Sequence, residues 1–397
     1  MADGKGRGST SGEVRARRRG LNTFLLAVIS AAVVTAIVFC LTTVAPALLR
    51  LEHWTADWRT ALLSDKAPEQ HARIAVVVIN DDTLADYPYT SPIDRHMLSE
   101  LVRSLDRLGV AAVGFDLLFL KPTEPDKDKE LIKTLAEARA RIVLGIADQR
   151  VDLSDRERAY QKEFLGATGR AVGYINLHYD QDNVVRSRAG PAEGGEYVRS
   201  FSALIAETDG AGEPDPRARI AWLLKPADTD TFFQLPAQVV LAAAAAPSSP
   251  LGQAIGARLK GRLILVGGIF ADRDAHTTPL AEGDGGRQHG VFIHAQMIAE
   301  LLDHRSVKRL DEEMVWPLIF ALALLGFPVG WFMRNSRFGW WNGTVPTALL
   351  VGLDLFIFQR YRIILPFTAA LAAWFMGNVA GFVLGKLLGV ERRKKTA

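Results

Sequence analysis

Cysteine is almost missing from this 397-residue sequence: Cys40 is the only one, so no disulfide can form within the chain. It lies inside an uncharged apolar run, where thiol chemistry at a water-filled site is excluded. No GxxxxGKS/T phosphate loop, GxSxG elbow, HExxH pair or kinase signature set is found. The glycines of 261–268 follow an apolar run but lack GxGxxG spacing, so they give no dinucleotide cradle. Net charge is only +3, with its excess at the two ends and no basic face for nucleic acid between them. The sequence therefore points away from a disulfide scaffold, a nucleotide-dependent enzyme and a nucleic-acid binder. No enzyme activity, cofactor or resident metal is expected.

What the chain does have is long apolar runs. Residues 21–49 carry no charged side chain, and three further runs, 314–333, 340–358 and 363–388, crowd the far end. Crossing a bilayer core takes about 20 apolar residues. Four membrane spans are expected, one N-terminal and three C-terminal, with the lipid bilayer as an obligatory partner. The third is the weakest because Asp354 lies inside it.

Lys and Arg near span ends set orientation. Arg15, Arg17, Arg18 and Arg19 precede the first span, Arg334 and Arg337 sit between the second and third, and Arg392, Arg393, Lys394 and Lys395 follow the last. Four crossings put all three clusters on one side, against only Arg360 and Arg362 on the other. The expectation is a multi-pass protein of the bacterial inner membrane. Its tails, 1–20 and 389–397, are cytoplasmic and the intervening 50–313 is a periplasmic domain. Ala45, Pro46 and Ala47 resemble a signal-peptidase site. The run before them exceeds the h-region of about 7–15 residues that such peptides use, so a retained anchor is expected. Asp354 is expected to snorkel or to pair with Arg360 or Arg362. Gly326, Pro328 and Gly330, with the Gly377/Gly381 pair, suit close helix packing.

Between the spans, apolar periodicity alternates. Residues 74–80 form a β-branched run, as in a strand buried on both faces. Ser91, Pro92, Ile93 and Asp94 read as a helix start with Ser91 as N-cap, and Met97, Leu98, Leu101, Val102, Leu105 and Leu108 give that helix one apolar face. A second buried strand follows at 110–115. Further strands are predicted at 142–146, 171–177 and 263–266, and helices at 129–139, 201–207, 234–246 and 291–303. Residues 208–219 read as a loop. Strands alternating with helices imply an α/β domain with a largely parallel sheet covered on both faces.

The segments IAVVVINDDTL (74–84), PYTSPIDR (88–95) and AVGFDLLF (112–119) resemble the first half of a type-2 CHASE domain, an extracytoplasmic sensory module. GYINLHYDQDNVVR (173–186), GRLILVGG (261–268) and HGVFIHAQMIAELL (289–302) resemble its second half. Three spans after the domain are also a family trait. The chain departs from the Trp-Pro-Trp-Pro-Arg turn common in the family, carrying Tyr87, Pro88 and Tyr89 and then Ser91 through Arg95. Similar proteins often continue into a kinase or cyclase, whereas this sequence ends at Ala397. The resemblance implies a sensor that binds a small-molecule ligand or envelope cue and signals through a membrane or cytoplasmic protein partner. The alternatives are a structural or assembly subunit that switches nothing, or an outer-facing enzyme using an aspartate-rich edge.

In open parallel sheets, ligands bind outside the carboxyl ends of the strands. Asp81 and Asp82 follow the first strand, Asp116 ends the second, and Asp272, Asp274 and His276 come after the last. With Arg95, whose forked donors suit an anion or a partner such as Asp82 or Asp116, these are the candidate ligand-binding residues. Each also has a plainer role in capping helices and turns. Asp272, Asp274 and His276, with His289 and His294 further on, offer oxygen and nitrogen ligands for a divalent metal. No framework fixes their geometry, and ordinary loop chemistry is the first expectation.

Overall fold

The computed structural model describes residues 8–207, 215, 218–270, 274–282, 286–333 and 339–396. Asp272, Arg334, Arg337 and most of the 208–219 loop lie outside the described residues. Two compact units form: Thr60–Val307, and Met1–Arg59 together with Lys308–Ala397. In chain order, α1 (Gly8–Val44) and α2 (Pro46–Leu63) come first, followed by β1 (Ile74–Ile79), α3 (Asp81–Leu84), α4 (Arg95–Arg107), β2 (Ala112–Asp116) and α5 (Pro125–Glu137). Next come β3 (Arg141–Ile146), α6 (Asp155–Thr168), β4 (Ala171–Tyr174), α7 (Phe201–Ala206), β5 (Phe233–Pro236), α8 (Ala237–Ala245) and α9 (Pro250–Leu259). β6 (Leu263–Gly268), α10 (Gly290–Leu302), α11 (Glu312–Met333), α12 (Gly339–Tyr361) and α13 (Phe367–Thr396) complete the chain.

The unit Thr60–Val307 is a three-layer α/β fold. Its six-stranded sheet has the order β4-β3-β2-β6-β1-β5, and every neighbouring pair is parallel. β1 shows why the sequence folds this way. All six residues are buried, Ala75, Val77 and Ile79 in one core and Ile74, Val76 and Val78 in the other. The first core packs under α4, α5, α6, α8 and α9, with Met97, Leu98, Leu101, Leu131, Phe164 and Val240 inside. The second packs under α7 and α10, which contribute Phe201, Ile205, Val291, Ala295 and Ile298. A parallel sheet requires this two-sided cover.

Several local expectations are corrected. The cap of α4 is Asp94, whose Oδ1 accepts from the Met97 amide at 3.0 Å, so Ser91 and Pro92 lie upstream of the helix. The apolar stretch at 234–246 begins as edge strand β5, paired with β1, before Pro236 opens α8. Helices α6 and α9, absent from the sequence reading, carry the N-caps Ser154 and Ser249.

The other unit is a helical bundle. Among the described residues, three of its helical stretches are long and apolar enough to cross a membrane: Gly20–Val44, Glu312–Met333 and Phe367–Leu388. The first apolar run does not continue unbroken to residue 49; helix α1 ends at Val44, and Pro46 starts α2. The last begins at Phe367, because Ile363–Ile364 pairs as a short strand with Lys308–Arg309. Ala31, Val34 and Val38 of α1 meet Ile319 and Ala323 of α11 and Ala369 and Ala373 of α13. The glycine spacing noted in the sequence serves the α11–α13 crossing. A Cβ on Gly330 would strike the Asn378 backbone, and one on Gly381 the Phe327 backbone. Such contacts let helix backbones approach closely where lipid supplies no hydrophobic drive. α12 is also long, but the acid Asp354 sits within it.

Asp354 does not pair with Arg360 or Arg362. Its carboxylate receives both bonds from Arg59 Nη1, at 2.5 and 2.6 Å, and both side chains are buried. Arg59 also stacks over Phe367, 5.5 Å from the ring centre, and lies 3.9 Å from Glu52. Glu52 in turn accepts the Phe367 and Thr368 amides at 2.9 and 2.7 Å, satisfying the first turn of α13 from another helix. Helix α2 is thus tied to α12 and α13 by a continuous polar network.

Candidate functional site

Because all six strands run parallel, their carboxyl ends share one edge of the sheet. Register places Asp116 opposite Gly267, and Ile79, which precedes Asn80 and Asp81, opposite Gly268. Two features occupy this edge.

The first is an open cleft of about 470 Å3, lined by Asp81, Ser91, Pro92, Arg95, Lys121, Glu157 and Phe270 among others. Asn80 caps the short helix α3, accepting from the Thr83 amide at 2.9 Å, and this leaves Asp81 on the cleft wall. Asp82, next to it, is exposed and is not part of the cleft lining. The walls carry both signs of charge, with Lys121 3.7 Å from Glu157. A small polar or zwitterionic molecule suits such a lining.

Arg95 lines the cleft but is committed to the fold. Its Nε donates to Asp128 at 3.3 Å, Nη1 to the Ile93 carbonyl at 3.3 Å and Nη2 to the Lys121 carbonyl at 3.2 Å. Its plane lies over Phe119 and Phe164. The expected partners Asp82 and Asp116 are replaced by Asp128, 33 positions downstream on α5. Asp128 also accepts from the Thr123 amide and hydroxyl and from the Tyr160 hydroxyl. Sequence reading missed it because a lone Asp on an amphipathic helix carries no signal of its own.

The second feature is a polar cluster reaching from the surface to the second core. The half-exposed Tyr179 hydroxyl donates to His276 Nδ1 at 2.9 Å, and His276 Nε2 donates to Asp274 Oδ1 at 2.9 Å. Asp274 has a left-handed backbone, φ +57°, and its carbonyl accepts the Gly290 amide that opens α10. The Asp274 carboxylate packs closely against the start of α10, so a Cβ on Gly290 would lie 2.9 Å from Oδ2. That sets a negative charge at the positive end of α10. Asp116 is buried behind it with His294 Nε2 4.0 Å away. Burial, with the Asp274 charge adding to it, pushes the Asp116 carboxyl up to about 8, so it is protonated at neutral pH. Burial lowers His294 to about 4 and keeps its ring neutral. The hydrogen bonds agree: Ser202 donates to Nδ1 at 2.9 Å and Nε2 donates to the Ile175 carbonyl at 3.3 Å.

Of the seven candidate residues, the fold brings Asp116, Asp274 and His276 into one cluster and puts Asp81 and Arg95 on the neighbouring cleft. His294 joins the cluster from the middle of α10, a helix that also buries Gln296 and Glu300.

The CHASE2 domain model matches residues 31–328, three-quarters of the chain. The chain belongs to the CHASE2 domain family. CHASE2 domains are extracytoplasmic sensory modules, and the fold and apolar helices described above are those of a membrane protein carrying one. No curated protein and no solved structure matches the chain. Within the CHASE2 domain, all six sequence segments that carry the resemblance reach the carboxyl edge, 173–186 with Tyr179 and 261–268 with the end of β6 at Gly267 and Gly268. Residues 74–84 and 112–119 supply Asp81 and Asp116, 88–95 supply the cleft wall, and 289–302 supply α10.

Proposed function

We propose that this CHASE2 protein is a membrane-anchored extracytoplasmic sensor of the bacterial inner membrane, not an enzyme. It binds a small polar ligand or responds to an envelope cue at the carboxyl edge of its sheet. The reading rests on α10. This helix starts against Asp274 and passes His294, and only residues 303–311 separate its end from α11. A change at the edge that moves α10 therefore acts on α11 through a short stretch of chain.

In this reading the chain crosses the membrane four times, with α12 as the third crossing. Arg59 supports that assignment by neutralising Asp354, the one acid within the helix. Both basic tails are cytoplasmic, and a separate partner reads the movement at the cytoplasmic ends of the helices. A stimulus shifts the balance between two conformations only by binding them unequally.

Cross-linking tests this. Ser202 on α7 and Met297 on α10 touch, with Oγ and Sδ 3.8 Å apart. A disulfide between Ser202→Cys and Met297→Cys, in a Cys40→Ala background, is expected to freeze α10 and abolish the response, and reduction is expected to restore it. An undiminished response in the oxidised protein refutes α10 as the moving element, and a reduced protein that answers no cue refutes the sensor reading and leaves a non-switching assembly subunit.

A further inference from the structure

We propose that a groove at the exit of α2 binds an anionic phospholipid of the membrane in which the chain is anchored. The groove holds about 630 Å3 and is separate from the carboxyl-edge cleft. Ligand pockets commonly hold about 300–1,000 Å3. Every residue that lines it belongs to the Thr60–Val307 unit.

Its floor is built from paired backbone. The Leu224 amide donates to the Asp65 carbonyl at 2.8 Å, and the Ala67 amide donates to the Leu224 carbonyl at 3.0 Å. These bonds tie the stretch after α2 to the stretch before β5. From α10, Gln296 accepts the Leu223 amide at 2.8 Å and donates to the Leu223 carbonyl at 2.9 Å. Phe292, one turn earlier on α10, stands in the wall.

The charge of the lining is one-sided. Lys66, Lys225 and Arg287 are exposed, and among the described residues none of the three is paired with a carboxylate. Arg287 gives Nη2 to the Ala275 carbonyl. Against these cations the lining has one acid, Asp230, which accepts from Gln234 at 2.7 Å. Leu62, Leu224, Pro226, Leu280 and Phe292 make the apolar part of the wall. Cations beside hydrocarbon match a phosphodiester that carries acyl chains. A soluble phosphate would leave the apolar wall in water.

The chain itself brings lipid to the rim. Leu62 is 63% exposed and follows Arg59 by three residues on α2. Arg59 is paired with Asp354 inside the long helix α12. At 1.5 Å per residue, the rim comes about 4.5 Å after that pair along the helix. Leu51 and Trp54, earlier on α2, are exposed too, and Trp is enriched where membrane meets water.

Binding is read without any signal. Full-length protein, stripped of lipid in detergent, is titrated with phosphatidylglycerol and followed by native mass spectrometry. Saturable retention is expected, with phosphatidylcholine held about tenfold more weakly. Each cation near an anionic headgroup is worth about fivefold, so Lys66→Gln with Lys225→Gln should weaken phosphatidylglycerol about 25-fold. Lys133→Gln with Lys162→Gln removes two exposed cations outside the groove and should change nothing. Retention that survives the Lys66 and Lys225 changes places the lipid elsewhere on the chain and overturns the proposal. An equal loss in the control pair, or phosphatidylcholine held as well as phosphatidylglycerol, also overturns it. So does glycerol phosphate or a glutamate peptide that binds as tightly as the lipid. The titration reads the same whichever way the unit faces, so its failure is distinct from failure of the sensor reading.

Discussion

Arg59 and Asp354 are 295 positions apart in sequence and form one two-bonded ion pair, buried on both sides. The pair joins α2, the helix that leads from the first span into the α/β unit, to α12.

Breaking this pair should be far worse than removing it. A lone buried charge costs about 3–5 kcal/mol, whereas replacing both partners by apolar groups is often neutral or stabilising. Arg59→Met and Asp354→Leu are each expected to lower the Tm of the detergent-solubilised protein strongly, with the double variant near wild type. Additive losses in the double variant would show that the pair is not coupled.

The buried acid sets a pH dependence with a definite sign. Asp116 holds its proton to about 8 in the folded protein and loses it near 4 when unfolded, so its stabilisation is full below about 4 and drains as pH rises to 8. His294 is lowered to about 4, so its contribution drains in the other direction, as pH falls from about 6.5. The two offset one another between about 4 and 6.5, and above that Asp116 acts alone. Between pH 6.5 and 8 the α/β unit should lose about 2 kcal/mol, or roughly 5 °C in Tm. Asp116→Asn should melt at a nearly constant temperature over that interval. A wild-type melting temperature that does not fall there contradicts the buried acid.

Asp128 holds together Arg95, Thr123 and Tyr160 beside the carboxyl-edge cleft. Asp128→Ala strands the Arg95 guanidinium and should cost about 3 kcal/mol or more. Asp128→Asn, which keeps acceptors for part of the network, should cost less. Urea or thermal unfolding of the two variants checks the order.

The α11–α13 crossing depends on missing side chains. Gly381→Leu drives a side chain into the Phe327 backbone and should separate the helices, whereas Gly352→Leu on α12, with open space around it, should be silent. Protease protection and melting temperature in detergent distinguish them. Equal behaviour would mean that the crossing is not tightly packed.

Much of the sheet was legible because two-sided burial writes itself into sequence. The apolar runs that became β1 and β2 need no partner to be recognised, and their carboxyl ends place Asp81 and Asp116 at one edge. Chain distance hid the rest. Arg360 is six positions from Asp354 and looked like its partner; Arg59 arrives only through the packing of α2. Strand β5 is four residues, Phe233–Pro236, running straight into an alanine-rich helix that masks it. The break at Ala45 was readable from Pro46, which opens a helix more readily than it sits inside one. Helix α6 is highly charged and weakly amphipathic, yet Ser154 and Glu157 form a capping box that announces its start. The partners of Arg95 and His294 come from other elements, and no local pattern points to them.

The sensor reading stands on the α/β unit facing outward. Lys225 is exposed on that unit, so Lys225→Cys in a Cys40→Ala background offers a single thiol to a membrane-impermeant maleimide. With the outer membrane permeabilised and the inner membrane intact, prompt labelling is expected. Labelling that appears only after the inner membrane is lysed would put the unit in the cytoplasm and contradict the proposed function.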